Sequence, residues 1–257
     1  MKYTTTRISV LLPVSNNEAT LAQCLDSLLS QTYEDMEVIA IDDFSKDASF
    51  KILKQYRKQD KRLIISRNVK KYGYAITLNR ALKRTKGRYI AFMNPQDSST
   101  PDRLKRQLSH LSRHPKVVAV GTQVSFINEK RQKYSKSAFP TDAEVISKRL
   151  FTHDCLQLES IMLDRFLLPK DVLKFDAHDY PLIYKSFILK LLPYGQLANL
   201  NQHLYLRTRS QFTPLEELSN QALAYIKLWF KARYIYDTAP SFSTLLYPLN
   251  NKLRSSL

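Results

Sequence analysis

The sequence has little glycine and cysteine, and it lacks a long hydrophobic run. Four glycines in 257 residues leave little room for a glycine-rich phosphate cradle or for flexible linkers. The two cysteines, Cys24 and Cys155, cannot form a disulfide framework, and Cys24 falls on an apolar helical stripe typical of a buried thiol. No apolar stretch has the length of a membrane-spanning helix, and residues 1–7 lack the apolar core of a signal peptide. These absences predict a cytoplasmic protein.

The net charge of +17 is the outlier in the composition. Residues 1–110 carry 20 basic and 11 acidic side chains, and residues 111–257 carry 20 and 12, so the charge is spread along the chain. Such a positive field favours nucleic acid, anionic lipid or phosphorylated substrates as partners. A lysine-rich surface without a functional role explains the charge equally well. No basic and aromatic motif of a known nucleic-acid reader is present, so nucleic acid is the least favoured of these partners.

Apolar runs typical of buried strands alternate with amphipathic stretches typical of helices over the first 120 residues. This alternation predicts an α/β fold with a mostly parallel sheet flanked by helices, whose ligands bind at the carboxyl ends of the strands. Polar clusters at 13–17, 42–47 and 94–100 lie at such ends and should line one crevice. The expected strands are 8–14, 37–41, 62–66, 88–93 and 117–120. The expected helix caps are Asn16 or Asn17, Ser45, and Thr100 followed by Pro101. A further helix is expected over 74–84, and Gly87 is placed to end it.

The second half of the chain has weaker periodicity. Residues 122–140 are typical of a hairpin with a basic tip, and residues 141–150 are typical of a helix. Residues 213–234 form an amphipathic pattern rich in leucine, tyrosine and lysine. This last helix either packs against the domain or lies on a membrane surface.

Six short motifs follow one another in the first 110 residues. They are Ile8–Asn16, Cys24–Tyr33, Val38–Asp47, Gly73–Asn79, Lys86–Phe92 and Pro101–Leu104. Together these motifs resemble the nucleotide-binding half of family 2 glycosyltransferases. The resemblance implies a Rossmann-like GT-A fold and a nucleotide-sugar donor. It also implies a domain over residues 1–210, with a nucleotide-binding half (1–120) and an acceptor half (121–210), followed by a C-terminal helical extension (211–257).

The resemblance assigns nucleotide contacts at the ends of the first two strands. Asp43 falls at the base-contacting position with Asp42 beside it, and a carboxylate there can accept a hydrogen bond from the uracil imide N–H. Pro13 and Ser15 correspond to positions that border the base, and an aromatic residue is commoner where Ser15 stands. Asn79 belongs to the same expected nucleotide-binding set. For the two aspartates the alternative is a helix cap or a turn, since acids at a helix start complement the helix dipole.

The resemblance also implies an acidic cluster after the fourth strand, where one carboxylate holds a divalent metal that bridges the two phosphates. Here the stretch reads Asn94-Pro95-Gln96-Asp97, so Gln96 stands at the metal-binding position and Asn94 at the first acid. Asp97 is the one acid left to hold Mn²⁺ or Mg²⁺, and the two neutral replacements argue against a metal site. Gln96 and Asp97 stay among the expected nucleotide contacts. If no metal is bound, cations must balance the diphosphate, and Arg207 and Arg209 are the expected ones.

A general base is the last implied element, an aspartate that deprotonates the acceptor hydroxyl. The segment Phe175–Tyr184 matches in place, so Asp179 falls at the position of the base. His178 replaces the usual preceding glutamate, and Leu158 replaces a common histidine in the strand before it. A helix cap is the alternative for Asp179, and a surface histidine is the favoured interpretation of His178.

The sequence is consistent with two functions of different classes. The first is an inverting transfer of a sugar from a nucleoside diphosphate, with uridine diphosphate the favoured carrier, to a hydroxyl of a glycan or lipid-linked glycan. Such an enzyme would serve polysaccharide or glycoconjugate synthesis, with peripheral contact to the inner face of the membrane. The second is a nucleotide-binding or partner-supporting module of the same fold that has lost turnover, which the replaced acids favour.

Overall fold

The computed structural model describes residues 4–128, 130, 132–150, 155–180, 182–208 and 215–234. The strands are β1 Thr4–Val14, β2 Met36–Asp42, β3 Leu63–Arg67, β4 Gly87–Phe92, β5 Ser98–Ser99, β6 Val117–Ile127, β7 Lys133–Lys136, β8 Met162–Asp164 and β9 Gln196–Thr208. The helices are α1 Glu18–Leu29, α2 Ser49–Gln59, α3 Tyr74–Leu82, α4 Arg103–Arg113, α5 Ala143–Arg149, α6 Ile183–Leu191 and α7 Leu215–Tyr234. The α/β fold, the hairpin and the two later helices are confirmed. The expected boundary between residues 210 and 211 lies outside the described residues.

The first half of the chain forms a parallel sheet in the order β3-β2-β1-β4. Its central strands are apolar on both faces because helices cover both sides. In register, Asp42 at the end of β2 lies beside Val14 of β1 and Arg67 of β3. The polar residues that follow these strands therefore emerge at one edge of the sheet, which we call the crevice edge.

The second half of the chain completes the sheet on the other side of β4. β8 runs antiparallel to both β4 and β6, and β9 then runs parallel to β6. The end of β9 pairs with the short strand β5, where Ser98 lies opposite Leu206 and Ser99 opposite Tyr205. This pairing carries the last residues of β9 to the loop between β4 and β5.

Two of the expected helix caps are wrong. α2 and α4 begin later than Ser45 and Thr100 predict, and neither helix has a side-chain cap. The Ser45 hydroxyl instead accepts a hydrogen bond from the backbone N–H of Asn16 (2.9 Å), which joins the turns after β1 and β2. The backbone N–H of Thr100 donates to the carbonyl of Leu204 (3.0 Å), which extends the β5–β9 pairing past the expected helix start.

Gly87 begins β4 and does not end α3, which stops at Leu82. A Cβ atom at position 87 would lie 2.4 Å from the carbonyl oxygen of Arg7 in β1. Glycine therefore allows the close approach of these two paired strands.

Two hydrophobic clusters pack on opposite faces of the sheet, since neighbouring residues of a strand point to opposite sides. Leu11 belongs to the cluster beneath α3, α6 and α7, and Val10 belongs to the cluster beneath α1, α2 and α4. Cys24 is buried in the second cluster, as the sequence predicts. Among the described helices, none combines the length and apolar character that crossing a membrane requires.

Candidate active site

Asp43, directly after β2, holds the loop that leads into α3. Its buried carboxylate accepts hydrogen bonds from the side-chain amide of Asn68 (2.7 Å) and from the backbone N–H groups of Tyr72 (2.9 Å) and Gly73 (2.8 Å). Gly73 has φ +85°, a conformation that glycine adopts without strain. The charge of Asp43 thus fixes the shape of the crevice edge between β2 and α3.

Asp42, the last residue of β2, has no exposed surface. Its Oδ2 atom pairs with Nε of Arg67 (2.9 Å) and accepts the backbone N–H of Ser45 (3.2 Å). Arg67 also donates to the carbonyl of Ser45 (2.6 Å). These contacts stabilise the turn after β2, the alternative role that the sequence left open for this residue.

The turn after β1 forms the facing side of the crevice edge. Asn16 (φ 53°) and Phe44 (φ 61°) both adopt the left-handed conformation, which costs energy in residues other than glycine. The side-chain oxygen of Asn16 accepts the backbone N–H of Lys46 (2.8 Å), so the two turns hold each other. Pro13 is buried and Ser15 half-buried at this end of β1.

Asn79 of α3 connects the two halves of the chain. Its side-chain amide donates to the carbonyl of Phe175 (2.7 Å) and accepts the N–H of the same residue (2.8 Å). The Phe175 ring packs edge-on against Phe92 and Tyr184, with ring centroids 5.8 and 6.0 Å away. Asn79 therefore positions the segment that leads to Asp179.

The loop between β4 and β5 is closed by the end of β9. Asp97 is buried and accepts the hydroxyl of Tyr205 (2.7 Å) and the backbone N–H of Thr208 (2.9 Å). Gln96 is exposed, and its carbonyl accepts the Thr208 hydroxyl (2.7 Å), while the side-chain oxygen of Asn94 accepts the Gln96 N–H (2.9 Å). Burial raises the pKa of Asp97 to about 7, although the two hydrogen bonds act in the opposite direction.

The raised pKa of Asp97 predicts a pH-dependent stability. A carboxyl group whose pKa is higher in the folded state than in the unfolded state stabilises the fold most at pH values below its unfolded-state pKa of 3.8. This stabilisation is lost as the pH rises through about 7. Between pH 5 and pH 8 the wild type should lose about 2 to 3 kcal/mol of unfolding free energy relative to Asp97→Asn. Urea unfolding of both proteins at the two pH values measures this difference, and parallel pH profiles would contradict it.

Arg207, near the end of β9, lies beside Asp97 and contacts the side chain of Gln157. Its Nη1 atom donates to the side-chain oxygen of Gln157 (2.9 Å), and the Gln157 amide nitrogen contacts the carboxylate of Glu159. Burial and the two hydrogen bonds have the largest effects on the pKa of Asp97. Smaller effects come from the charge of Glu159, which raises this pKa, and from the charge of Arg207, which lowers it. Arg209, the other expected diphosphate contact, lies outside the described residues.

The side chains around Asp97 do not fit a divalent metal site. Mg²⁺ and Mn²⁺ prefer several oxygen ligands with negative charge, whereas Asn94 and Gln96 are neutral. Both oxygens of Asp97 are already hydrogen-bonded. The described ranges contain no group of three or more His, Cys, Asp or Glu side chains that could hold a metal ion.

Asp179 lies just before α6, between that helix and α7. Its carboxylate contacts the hydroxyl of Ser186 in α6 and the ammonium of Lys231 in α7, and 8% of the side chain is exposed. Lys231 also lies 3.6 Å from the carboxylate of Asp176. His178 is exposed, and its backbone N–H donates to Asp176 (3.0 Å). The cation beside Asp179 is a feature that the sequence motifs did not reveal.

The predicted site residues thus fall into three groups. The first lies at the ends of β1 and β2 (Pro13, Ser15, Asp42 and Asp43), the second surrounds the loop before β5 (Gln96, Asp97 and Arg207), and the third is Asp179 with its contacts to α6 and α7. Asn79 connects α3 to the segment that carries the third group.

A protein-family model matches the part of the chain that carries most of these site residues. The model described as Glycosyl transferase family 2 matches residues 9–179, about two thirds of the chain. The chain belongs to glycosyltransferase family 2. The match of this glycosyltransferase includes the ends of β1, β2 and β4 and reaches Asp179, whereas Arg207 and α7 lie beyond it.

Curated relatives carry glycosyltransferase names. The chain is 43% identical over 94 residues to the poly(ribitol-phosphate) beta-glucosyltransferase of Bacillus spizizenii, covering 35% of this chain and 15% of that protein. It is 27% identical over 241 residues to an uncharacterized glycosyltransferase of Rickettsia prowazekii, covering 89% and 74%. The chain therefore spans a small part of the first relative and most of the second.

Solved structures share the GT-A fold of this glycosyltransferase. S. aureus TarS 1–349 in complex with UDP-GlcNAc matches with a TM-score of 0.72 at 19% identity, covering 96% of this chain and 73% of that one. The mannosyltransferase PcManGT from Pyrobaculum calidifontis, in complex with GDP-Man and Mn²⁺, matches with a TM-score of 0.70 at 17% identity, covering 96% and 69%. At these identities the likeness concerns the fold.

Proposed function

We propose that this glycosyltransferase transfers a sugar from a uridine diphosphate donor to an acceptor hydroxyl, with inversion at the anomeric carbon. The observation that carries the proposal is the position of Arg207 beside Asp97, in the loop that follows β4 at the crevice edge. A cation here can balance the charge of a leaving diphosphate where the acidic motif is incomplete. The UDP-GlcNAc bound by S. aureus TarS supports a uridine nucleotide as the donor.

The base of the nucleotide binds, in this proposal, at Asp43 between the ends of β1 and β2, with Pro13 and Ser15 bordering it. An ionised carboxylate has about four acceptor positions. Asn68, Tyr72 and Gly73 use three of them, which leaves a place for the uracil imide N–H. Because the carboxylate is already held in place by these three donors, its orientation is fixed before the nucleotide arrives.

Binding of the diphosphate should depend on Arg207. Arg207→Gln removes the cation beside Asp97 and is expected to weaken UDP binding about tenfold while leaving uridine binding unchanged, since uridine carries no phosphate. Calorimetric titration of both ligands, in buffer with EDTA and again with Mn²⁺, measures the difference. Arg113→Gln, which removes another exposed cation from the end of α4, is the control. Equal affinities of the wild type and Arg207→Gln for UDP would contradict the assignment.

The chemistry is a single displacement in which one bond forms as another breaks. The acceptor hydroxyl oxygen attacks the anomeric carbon, its proton passes to the Asp179 carboxylate, and the bond to the diphosphate oxygen breaks on the opposite side. Lys231 and Ser186 already contact this carboxylate, so they orient it. The acceptor must therefore enter beside α7.

A module without turnover is the second candidate. The neutral Asn94 and Gln96, His178 before the proposed base, and the ion pair between Asp179 and Lys231 favour it. It predicts UDP binding with neither transfer nor hydrolysis of any donor. Turnover that is lost in Asp179→Asn would exclude it.

The acceptor we propose is the glycan of a cell-surface polymer, free or lipid-linked. The name of the Bacillus spizizenii relative, a poly(ribitol-phosphate) beta-glucosyltransferase, supports this class. The net charge of +17 is suited to an acceptor that carries phosphate groups or lies at an anionic surface.

A further inference from the structure

α7 is fixed to the acceptor half through one of its faces. Tyr225, Leu228, Trp229 and Ala232 are buried, with at most 4% of each residue exposed. Three of these four belong to the core cluster that also contains side chains of α3 and α6. The helix is thus part of the domain, and its opposite face is the one that solvent can reach.

The outward face of α7 is a stripe of apolar side chains. Leu223, Ile226, Phe230 and Tyr234 are 55%, 41%, 50% and 74% exposed. Their spacing of three, four and four residues places them along one line of the helix. They make up four of the ten large apolar side chains that are exposed in the described ranges, so the exposure is concentrated on this helix. Contiguous exposed apolar patches mark sites of interaction with another protein, a membrane or a ligand.

We propose that this outward face of α7 docks on the surface of an anionic bilayer, with the helix parallel to the membrane. Helices at a bilayer interface combine apolar and aromatic side chains with lysine and arginine that reach the headgroups. Lys227 and Arg233 lie along the two edges of this stripe, whereas Lys231 pairs with Asp179. The net charge of +17 adds attraction to anionic headgroups over the whole protein.

A second copy of the chain fits this face less well than a bilayer does. A two-fold contact between two stripes would bring the Lys227 side chains of both copies into the same apolar interface. Two proteins that each carry +17 also repel one another, whereas anionic headgroups neutralise the same charges.

The docking surface connects to the proposed function through Asp179. Lys231 joins α7 to this carboxylate, so the acceptor side of the site lies next to the docked helix. This connection rests on the proposed function. A lipid-linked acceptor would then reach the general base directly from the membrane surface.

Co-sedimentation with vesicles tests the docking without any donor or acceptor. The wild type should bind vesicles of mixed phosphatidylglycerol and phosphatidylcholine, and bind vesicles of phosphatidylcholine alone far more weakly. Ile226→Ser combined with Phe230→Ser should weaken binding to the anionic vesicles about tenfold or more. The matched control is Phe166→Ser, because Phe166 is also 50% exposed but lies on a different part of the protein, and it should bind like the wild type.

Three results would overturn the proposal. The first is equal binding of the double variant and the wild type, and the second is an equal loss in the Phe166→Ser control. The third is a wild type that sediments as a dimer when the double variant is a monomer, which would assign the stripe to a second copy. Trp229 is the only tryptophan, so unchanged emission shows that α7 stays packed in each variant. UDP titration of the same samples reports separately on the proposed function.

Discussion

Asp179→Asn should lower kcat for sugar transfer by about 10²- to 10⁴-fold, the usual contribution of a general base. Asparagine keeps the size of the side chain and can still accept the Ser186 hydroxyl, but it cannot take the proton of the acceptor. The affinity for the donor should change little, because the contacts of Asp179 lie with α6 and α7. Transfer assays over a range of UDP-sugars and acceptors, with kcat and KM separated, measure the effect.

Asp176→Asn is the matched control for this experiment. Asp176 lies three residues before the proposed base, is 3.6 Å from the same lysine, and accepts the His178 N–H at the start of a short 3₁₀ turn. Its replacement removes the same charge from the same neighbourhood, and kcat should stay close to that of the wild type. Equal losses in both variants would mean that local charge or folding is responsible, and Asp179 would not be the base.

Asp43→Asn should weaken UDP binding by about 10- to 100-fold. A hydrogen bond to a charged group contributes about 1.5–3 kcal/mol, and 1.4 kcal/mol corresponds to a factor of ten. Asp43 now accepts hydrogen bonds from three N–H groups, and the amide nitrogen of asparagine would face one of these donors without being able to accept from it. The loop around Gly73 would therefore shift. Calorimetric titration with UDP, well below the unfolding temperature, measures the loss.

Asp47→Asn separates nucleotide contact from general damage to this turn. Asp47 accepts the backbone N–H groups of Glu18 (2.9 Å) and Ser49 (3.0 Å), so its replacement should lower stability. UDP affinity should stay near that of the wild type. If Asp47→Asn weakens UDP binding as much as Asp43→Asn does, the effect comes from the shape of the turn and the base contact is wrong.

The sheet and its crevice edge could be predicted because their signals are local. β1 and β2 are continuous apolar runs, and the polar residues that follow them must emerge together once the strands pair in parallel. The helix starts were less predictable. Ser45 and Thr100 have the composition of caps, but their hydrogen bonds go to other segments, and a partner 29 residues or more away leaves no mark in the local sequence.

The surroundings of Asp97 and Asp179 depend on contacts that are distant in sequence. Asp97 is held by Tyr205 and Thr208, more than 100 residues later, and its burial follows from the β5–β9 pairing. Lys231 reaches Asp179 across 52 residues because α7 folds back onto the acceptor half. Periodicity identifies such a helix, but it does not show which carboxylate the helix will meet.

A crystal structure of the protein with UDP bound tests the proposed function most directly. We expect the uracil ring at Asp43, between the ends of β1 and β2. We also expect the diphosphate beside Gln96 and Asp97, with the guanidinium of Arg207 in contact with it. UDP bound elsewhere, or a diphosphate held by a metal ion on Asp97 with Arg207 turned away, would contradict the proposed function.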